Sequence, residues 1–288
     1  MYTWIANIEK SMTLLEYLMG LGVATKKIHQ LCRESALLLD GKPLLSESIV
    51  LPKQQIQLRY DDLRPGLGEP AKILWQDEHY LVVDKPSGML IYDLDHVDTI
   101  TLDTTVDRAL AQMHVNHADH VHRLDKETSG VILYAKHPIA LAAMSQSLSR
   151  QLVHRQYVAL VEGNFPKPKG RIQELIGSDR HVNGKYRVSR TGKEAITKYE
   201  TLHQVPSISE VSFELETGRT HQIRVHAAFL GHPLLGDTLY GSRMSASRVM
   251  LHAQKISFYH PFTKEFVTIT SELPEDYLQE RTKRGIHD

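Results

Sequence analysis

The sequence predicts an α+β protein in two unequal parts. A large domain, residues 72–288, is expected on a largely antiparallel mixed sheet with a few helices. A small α+β domain, residues 1–60, precedes it across a linker at 61–71. Three observations carry this expectation. Segments that alternate apolar and polar residues recur along the chain and outnumber the helical ones. The stretch DDLRPGLGEP, 61–70, holds two Pro and two Gly and has no apolar periodicity. Asp40-Gly41 sits between two apolar stretches, a strong short-range hairpin signal.

In chain order, SMTLLEYLMGLG sets Leu14, Leu15, Leu18 and Met19 at helical spacing, with Gly20 to end the helix. TKKIHQLCRES follows, with Thr25 as N-cap and Ile28, Leu31 and Cys32 on one face. ALLLDGKPLL reads as a hairpin and QIQLRY as a strand. Beyond the linker, ILWQ and HYLVVD read as strands, broken by the KPSG turn at 85–88. TTVDRALAQM reads as a short helix with Leu110 and Met113 inward. GVILYAK, 130–136, reads as a strand, and HPIALAAMSQSLSR, 137–150, as a helix with Pro138 in its first turn. RQYVALVEG and SEVSFELETG alternate as half-buried strands do. RTHQIRVHAAFLG, 219–231, ends in Gly and reads as a helix.

Composition narrows the function classes. Of 288 residues, 41% are hydrophobic and 24% charged, ordinary for a folded soluble protein and wrong for disorder or collagen. No apolar run approaches the roughly 18 residues of a spanning helix. The start, MYTWIANIEK, lacks a basic segment followed by an apolar core, so no signal peptide is expected. A single cysteine, Cys32, excludes an intrachain disulfide and points to a reducing, cytoplasmic setting. The 34 basic and 34 acidic side chains cancel, but they are segregated. Residues 61–103 hold ten acidic and three basic side chains; residues 150–193 hold three acidic and ten basic. Such a basic segment suits a polyanion, although a solvated loop balanced by the acidic segment would read the same way.

Three stretches could carry chemistry. In HRLDKETSG, 122–130, Asp125 stands between Arg123 and Lys126, in a loop that leads into an apolar strand. Loops held by a rigid sheet commonly carry catalytic groups, and a salt-bridged turn is the plainer alternative. In TGRTHQIRVH, 217–226, Arg219 stands where a strand passes through Gly218 into a helix, a place suited to an anion. A surface arginine is the plainer alternative. In RQYVALVEG, Tyr157 shares a strand face with Ala159 and Val161, as core tyrosines do, though it could stack on a base. His114, His117, His120 and His122 raise metal binding, but their spacing matches no HExxH or Cys/His framework. No GxxxxGK[ST], GxGxxG or GxSxG occurs, so nucleotide cofactors and an elbow serine have no support.

Together these stretches resemble the RluA-type pseudouridine synthases. HRLDKETSGVILYAK, 122–136, is similar to that family's signature. ILWQDEHYLVVDKPSGML, 73–90, resembles its opening strand pair and lysine-proline turn, and RQYVALVEG the segment with its tyrosine. LETGRTHQIRVHAAFLGHPLLGDTLYG, 215–241, resembles its arginine motif and the glycine-aspartate turn that follows. LHAQKISFYHP, 251–261, resembles its closing strand. The match runs in order from about 72 to 270. At 11–60 the two helices and LLLDGKPL resemble the RNA-binding domain of small-subunit ribosomal protein four, with Lys26, Lys27 and Arg33 as its candidate RNA contacts. One departure lies at IYDLDH, 91–96, where the family often has a short apolar stretch ending in His-Pro.

The resemblance implies an RNA pseudouridine synthase acting on ribosomal or transfer RNA, monomeric, with no cofactor, metal or membrane partner. It implies a catalytic Asp125, with Arg219 paired to it and Tyr157 stacked on the uracil. Arg123 would hold the flipped uridine's place or its phosphate, and His122, Lys85 and Leu251 would also line the substrate site. The reaction breaks N1–C1′, turns the uracil and joins C5 to C1′, without redox change or an external nucleophile. Whether Asp125 attacks C1′, attacks C6 or assists loss of a C2′ proton is open at this level. Two other classes stay open: an inactive RNA-binding protein and a His-rich metallohydrolase.

Overall fold

SGVILYA contains five apolar side chains in succession, a pattern that suits a strand covered on both faces. The computed structural model describes residues 1–60, 64, 66–93, 95, 99–113 and 117–287. In it Ser129–Ala135 is buried along its whole length inside a ten-stranded sheet. The strands run in the order Lys169–Gln173, Ile196–Val205, Ile208–Leu215, Val153–Glu162, Leu251–Tyr259, Ser129–Ala135, Tyr80–Lys85, Ile73–Gln76. Phe266–Thr270 adds to Leu251–Tyr259, and Asp119–His120 to Ser129–Ala135. Pairing is antiparallel except for one short parallel contact, Ser129 and Gly130 against His252 and Ala253. The sheet is therefore mixed and largely antiparallel, as expected.

That parallel contact needs a glycine. Gly130 has φ +110°, and a Cβ built on it would stand 2.2 Å from the Ala253 carbonyl oxygen. Only a residue without a side chain lets the strand after Asp125 come this close to the strand after Leu251.

Alternation along the two central strands builds two layers. Tyr80, Val82, Val131 and Leu133 face a core shared with helix Pro138–Ser149, through Ile139, Ala140, Ala143 and Met144. Leu81, Val83, Ile132 and Tyr134 face helix Leu102–Gln112, through Leu102, Val106 and Leu110. Met113, expected inward, is instead that helix's C-cap and is exposed. A third cluster places helix Glu275–Lys283 over Val158 and Leu160 through Tyr277.

Residues 1–58 form a separate four-stranded sheet: Tyr2–Ile5, Gln55–Leu58, Leu37–Leu39 and Lys42–Pro43. Asp40 and Gly41 both take positive φ, which matches the right-handed twist of a two-residue hairpin. Helix Leu14–Gly20 starts with a reciprocal capping box between Thr13 and Glu16. Helix Thr25–Arg33 begins one residue earlier than expected, so Ala24 is the N-cap and Thr25 lies inside. The core of this unit runs on into the large sheet. Trp4 stacks on His137 and meets Phe262 edge-on at 5.6 Å. His137 accepts the Ala140 N–H at Nδ1, capping its helix, so its Nε2–H points to His79 Nδ1 at 2.9 Å. The expected linker at 61–71 lies partly outside the described residues. Its described end runs along helix Leu102–Gln112, where Leu67 and Ala71 donate to the carbonyls of Thr104 and Thr105. Among the described residues no helix is long and apolar enough to cross a membrane.

His117 pins that helix to the sheet edge. Its Nδ1 lies 2.5 Å from Asp107 and its Nε2 2.9 Å from Asp119. Burial works against a charged imidazole here. The hydrogen bonds to Asp107 and Asp119 outweigh it and raise the pKa to about 9. The ordinary value is about 6.5, so the stabilisation is complete below that pH and is lost as pH rises through about 9. The melting temperature of the native protein should therefore fall more steeply between pH 6.5 and 9 than that of His117→Gln. Equal falls in calorimetry would mean the imidazole is neutral in the fold.

Candidate active site

The loop at 125–128 owes its shape to a lysine. Lys85 Nζ donates to the carbonyls of Pro86, Lys126 and Thr128, at 3.0, 2.9 and 2.8 Å. Ser87 Oγ donates to the Glu127 carbonyl at 2.7 Å, and the Gly88 N–H to that of Lys126 at 2.9 Å. The KPSG turn thus holds three successive carbonyls of the loop after Asp125. Burial pulls the Lys85 pKa down to about 8, against the fields of Asp125 and Glu127. Lys85 was expected to bind substrate; all three of its donors are instead engaged by backbone.

Asp125 lies in a cleft of about 960 Å³, with its side chain 23% exposed. The arginine beside it is Arg224. Helix Gln222–Phe229 carries Arg224 inward, where Nε and Nη2 meet Asp237 at 2.7 and 2.9 Å. Nη1, the remaining nitrogen, lies 3.4 Å from Asp125 Oδ2. The Tyr240 ring lies 5.0 Å beneath the guanidinium. Desolvation opposes the charge on Arg224, but Asp237 first and Asp125 next hold it, and its pKa is raised. Arg219, expected to pair with Asp125, donates through Nε to the Glu194 carbonyl at 2.8 Å. The reason is the helix start. His221 takes a left-handed backbone, φ 56°, so the helix begins at Gln222 rather than 219, and Arg219 stays in the loop at the cleft wall.

His221 itself reaches the site. Its Nδ1 lies 2.9 Å from the Tyr240 hydroxyl and its Nε2 3.9 Å from Asp125 Oδ2. Left-handed backbone in a residue with a Cβ stores roughly 1–2 kcal/mol. Both nearby cationic or polar nitrogens approach Oδ2, and among the described residues Oδ1 has no partner.

Tyr157 and Leu251 line the same cleft from two paired strands. Burial raises the Tyr157 pKa, keeping its hydroxyl neutral. His122 also lines it and accepts the Leu133 N–H at Nε2. Burial, then the charge of Arg155, lowers the His122 pKa to about 3. Arg123 stands exposed at the rim and donates to the Tyr92 hydroxyl at 2.8 Å. Tyr92 in turn stacks on His120, 4° from parallel. The first half of IYDLDH therefore supplies an aromatic at the rim; Leu94 and His96 lie outside the described residues. Sequence reasoning missed Arg224, Asp237, Tyr240 and His221. The signals were a second arginine inside TGRTHQIR and the glycine-aspartate turn after it.

Among the described residues no group of three or more His, Cys, Asp or Glu could hold a metal ion. His117 and His120 are bound to Asp107, Asp119 and Asp103, and His114 lies outside the described residues.

Residues 79–229, which span the Asp125 loop, Tyr157 and Arg224, match the family model described as RNA pseudouridylate synthase. The chain belongs to the RNA pseudouridylate synthase family. An uncharacterised RNA pseudouridine synthase of Bacillus subtilis, YhcT, is 40% identical over 74% of this chain and 71% of its own length. Ribosomal large subunit pseudouridine synthase D of Xylella fastidiosa is 37% identical over 73% and 68%. The solved structure of human RNA pseudouridylate synthase domain containing 4 superposes with TM-score 0.62 at 25% identity, covering 74% of this chain and 92% of its own. The chain is therefore an enzyme that isomerises uridine in RNA.

Arg224→Lys would keep a charge but lose the fork that meets Asp237 and Asp125 at once. Turnover should fall by about tenfold or more, the rate factor of about 1.4 kcal/mol. Tritium release from C5-labelled uridine in RNA measures it. Wild-type turnover in Arg224→Lys would remove the arginine from the catalytic arrangement.

Proposed function

We propose that the cleft isomerises specific uridines of ribosomal RNA, with Asp125 as the catalytic carboxylate. One observation carries this reading. Arg224 approaches Asp125 at Oδ2 alone, so Oδ1 is free to face a nucleotide in the cleft. Attack at C1′, attack at C6 and removal of the C2′ proton each need one unencumbered carboxylate oxygen beside the sugar or base. In each, the N1–C1′ bond breaks, the uracil turns, C5–C1′ forms, C5 loses a proton and N1 gains one. The free uracil needs a flat neighbour while it turns, and the neutral Tyr157 ring offers one in the same cleft. A base must leave its stack to arrive there, at a cost of a few kcal/mol that is least in loops.

Ribosomal RNA is favoured by the relatives. Proteins named ribosomal large subunit pseudouridine synthase D from Xylella fastidiosa, Xanthomonas campestris and Borreliella burgdorferi are 32–37% identical to this chain. The basic segment supports a polyanion: Arg180, Arg187, Arg190 and Lys193 are exposed around hairpin Ile176–Ser178 and Tyr186–Val188. That hairpin packs on Val225 and Tyr240, next to the catalytic arginine. Asp125→Asn keeps the shape and removes the charge. It should bind RNA and form no detectable pseudouridine, because phosphate contacts carry most of the affinity. Mapping pseudouridine in ribosomal and transfer RNA with and without the protein identifies the target. Turnover by Asp125→Asn would sink the catalytic assignment, and sites confined to transfer RNA would sink the ribosomal one.

The N-terminal unit is read as a second RNA contact. Lys26 and Arg33 are exposed and seven residues apart on helix Thr25–Arg33, so they share a face. Lys27 is half-buried and reaches Gln30 at 3.5 Å, which leaves it less free to meet RNA. The double variant Lys26→Ala, Arg33→Ala should bind structured RNA with a shallower salt dependence, by roughly 0.7–0.9 for each phosphate no longer neutralised. An unchanged slope would mean that this unit covers the large domain without touching RNA.

A further inference from the structure

Among the described residues, Arg155 is a buried charged side chain of the cleft, 8% exposed, whose Nε has no hydrogen-bond partner. Among the described residues no carboxylate pairs with its guanidinium. It stands two residues before Tyr157 on strand Val153–Glu162, hence on the same face, and lines the cleft. Room for it is made by Gly218: a Cβ there would stand 2.9 Å from Nη1. The other arginines around it are engaged, Arg224 by Asp237 and Asp125, Arg219 by the Glu194 carbonyl. His122, beside it, adds no negative charge.

An unpaired cation is among the most unfavourable things a protein can bury, and such groups are normally paired. This one is withdrawn from water but open to the cleft. The substrate supplies what it lacks. Uracil and ribose are neutral, whereas each nucleotide brings one phosphodiester anion, and a guanidinium fork fits two of its oxygens. We propose that Arg155 is a phosphate subsite of the cleft, which takes the phosphodiester group adjoining the uridine that enters. It is a substrate-binding residue that fixes how far the nucleotide backbone descends toward Asp125. The inference rests on the reading of this cleft as the uridine site.

The test uses the full-length protein and an RNA stem-loop built around the mapped uridine. Methylphosphonate linkages, placed singly on its 5′ and 3′ sides, remove one charge each. Arg155→Gln should weaken capture of the native RNA about tenfold or more, and Arg155→Lys should recover part of that. One of the two methylphosphonates should weaken the native protein by a similar factor and Arg155→Gln by no further amount, since both changes remove the same ion pair. Equal losses in both proteins, or wild-type capture by Arg155→Gln, would overturn the subsite. Folding gives an independent reading. Removing an unpaired buried charge should leave the melting temperature unchanged or raised, and a marked fall would mean that Arg155 has a structural partner instead. Asp125→Asn separates the two readings. It should still discriminate against the same methylphosphonate while forming no product; turnover there would remove the catalytic role of Asp125 without touching the phosphate subsite.

Discussion

A guanidinium with two carboxylates to serve organises the site. Arg224 is 9% exposed at its side chain, and Asp237 only 1%. A buried pair of this kind adds little stability over an apolar pair, yet losing one partner costs about 3–5 kcal/mol because the other is left bare. Its value is therefore geometric. Two of the three guanidinium nitrogens are held by Asp237, and the Tyr240 ring closes the face below. The third nitrogen then has one direction left, toward Asp125 Oδ2. For that aim to be right, the helix must begin at Gln222, which is where the left-handed His221 starts it. The turn bearing Asp237 must also close. It does so at Gly236, φ +81°, where a Cβ would meet the Arg248 carbonyl at 2.1 Å.

Asp125 is constrained from the opposite side by the same logic, with backbone in place of carboxylates. Lys85, Ser87 and Gly88 hold the carbonyls of residues 126 to 128. Arg248 ties the floor together: it donates to the Val249 and Leu251 carbonyls and pairs with Asp276 on the last helix. Leu251 and Asp125 thus share supports that come from distant parts of the chain. A carboxylate whose loop cannot relax needs no reorganisation when the substrate arrives, which is where preorganised sites gain most of their advantage over water.

Much of this was legible in sequence, and the failures have identifiable causes. Strand and helix positions followed from periodicity, and the Asp125 loop stood out because it opened an apolar strand. The resemblance implies Arg219 as the partner of Asp125, and Arg224, five residues on, takes that place. The helix QIRVHA is buried at every position, so it offers no polar face from which to tell an inward arginine from an outward one. The left-handed residue that moves the start is a histidine, a type enriched at positive φ but found there in only a small minority of cases, so His221 alone does not mark the break. The structural role of Lys85 is hidden in sequence because two of its acceptors lie 41 and 43 residues away, beyond any local pattern. The need for glycine at 130 comes from the approach of Ala253, which only the fold reveals.

The cleft's arginines are sorted by their partners rather than by their number. Arg224, held by two carboxylates, can orient one of them but cannot travel to a ligand. Arg219, on a carbonyl, keeps its charge uncompensated at the wall. Arg123, on a phenol, does so at the exposed rim. Arg155, buried and unpaired, carries the strongest demand for an anion. In a protein neutral as a whole, four arginines thus line one cleft beside a basic hairpin. Uridine isomerisation consumes nothing and releases nothing, so the protein has only to draw one nucleotide in, hold its backbone still and let the base turn. The carboxylate stands in the loop before strand Ser129–Ala135, its counter-ion on helix Gln222–Phe229 and the unpaired cation on strand Val153–Glu162, three elements that meet at one cleft.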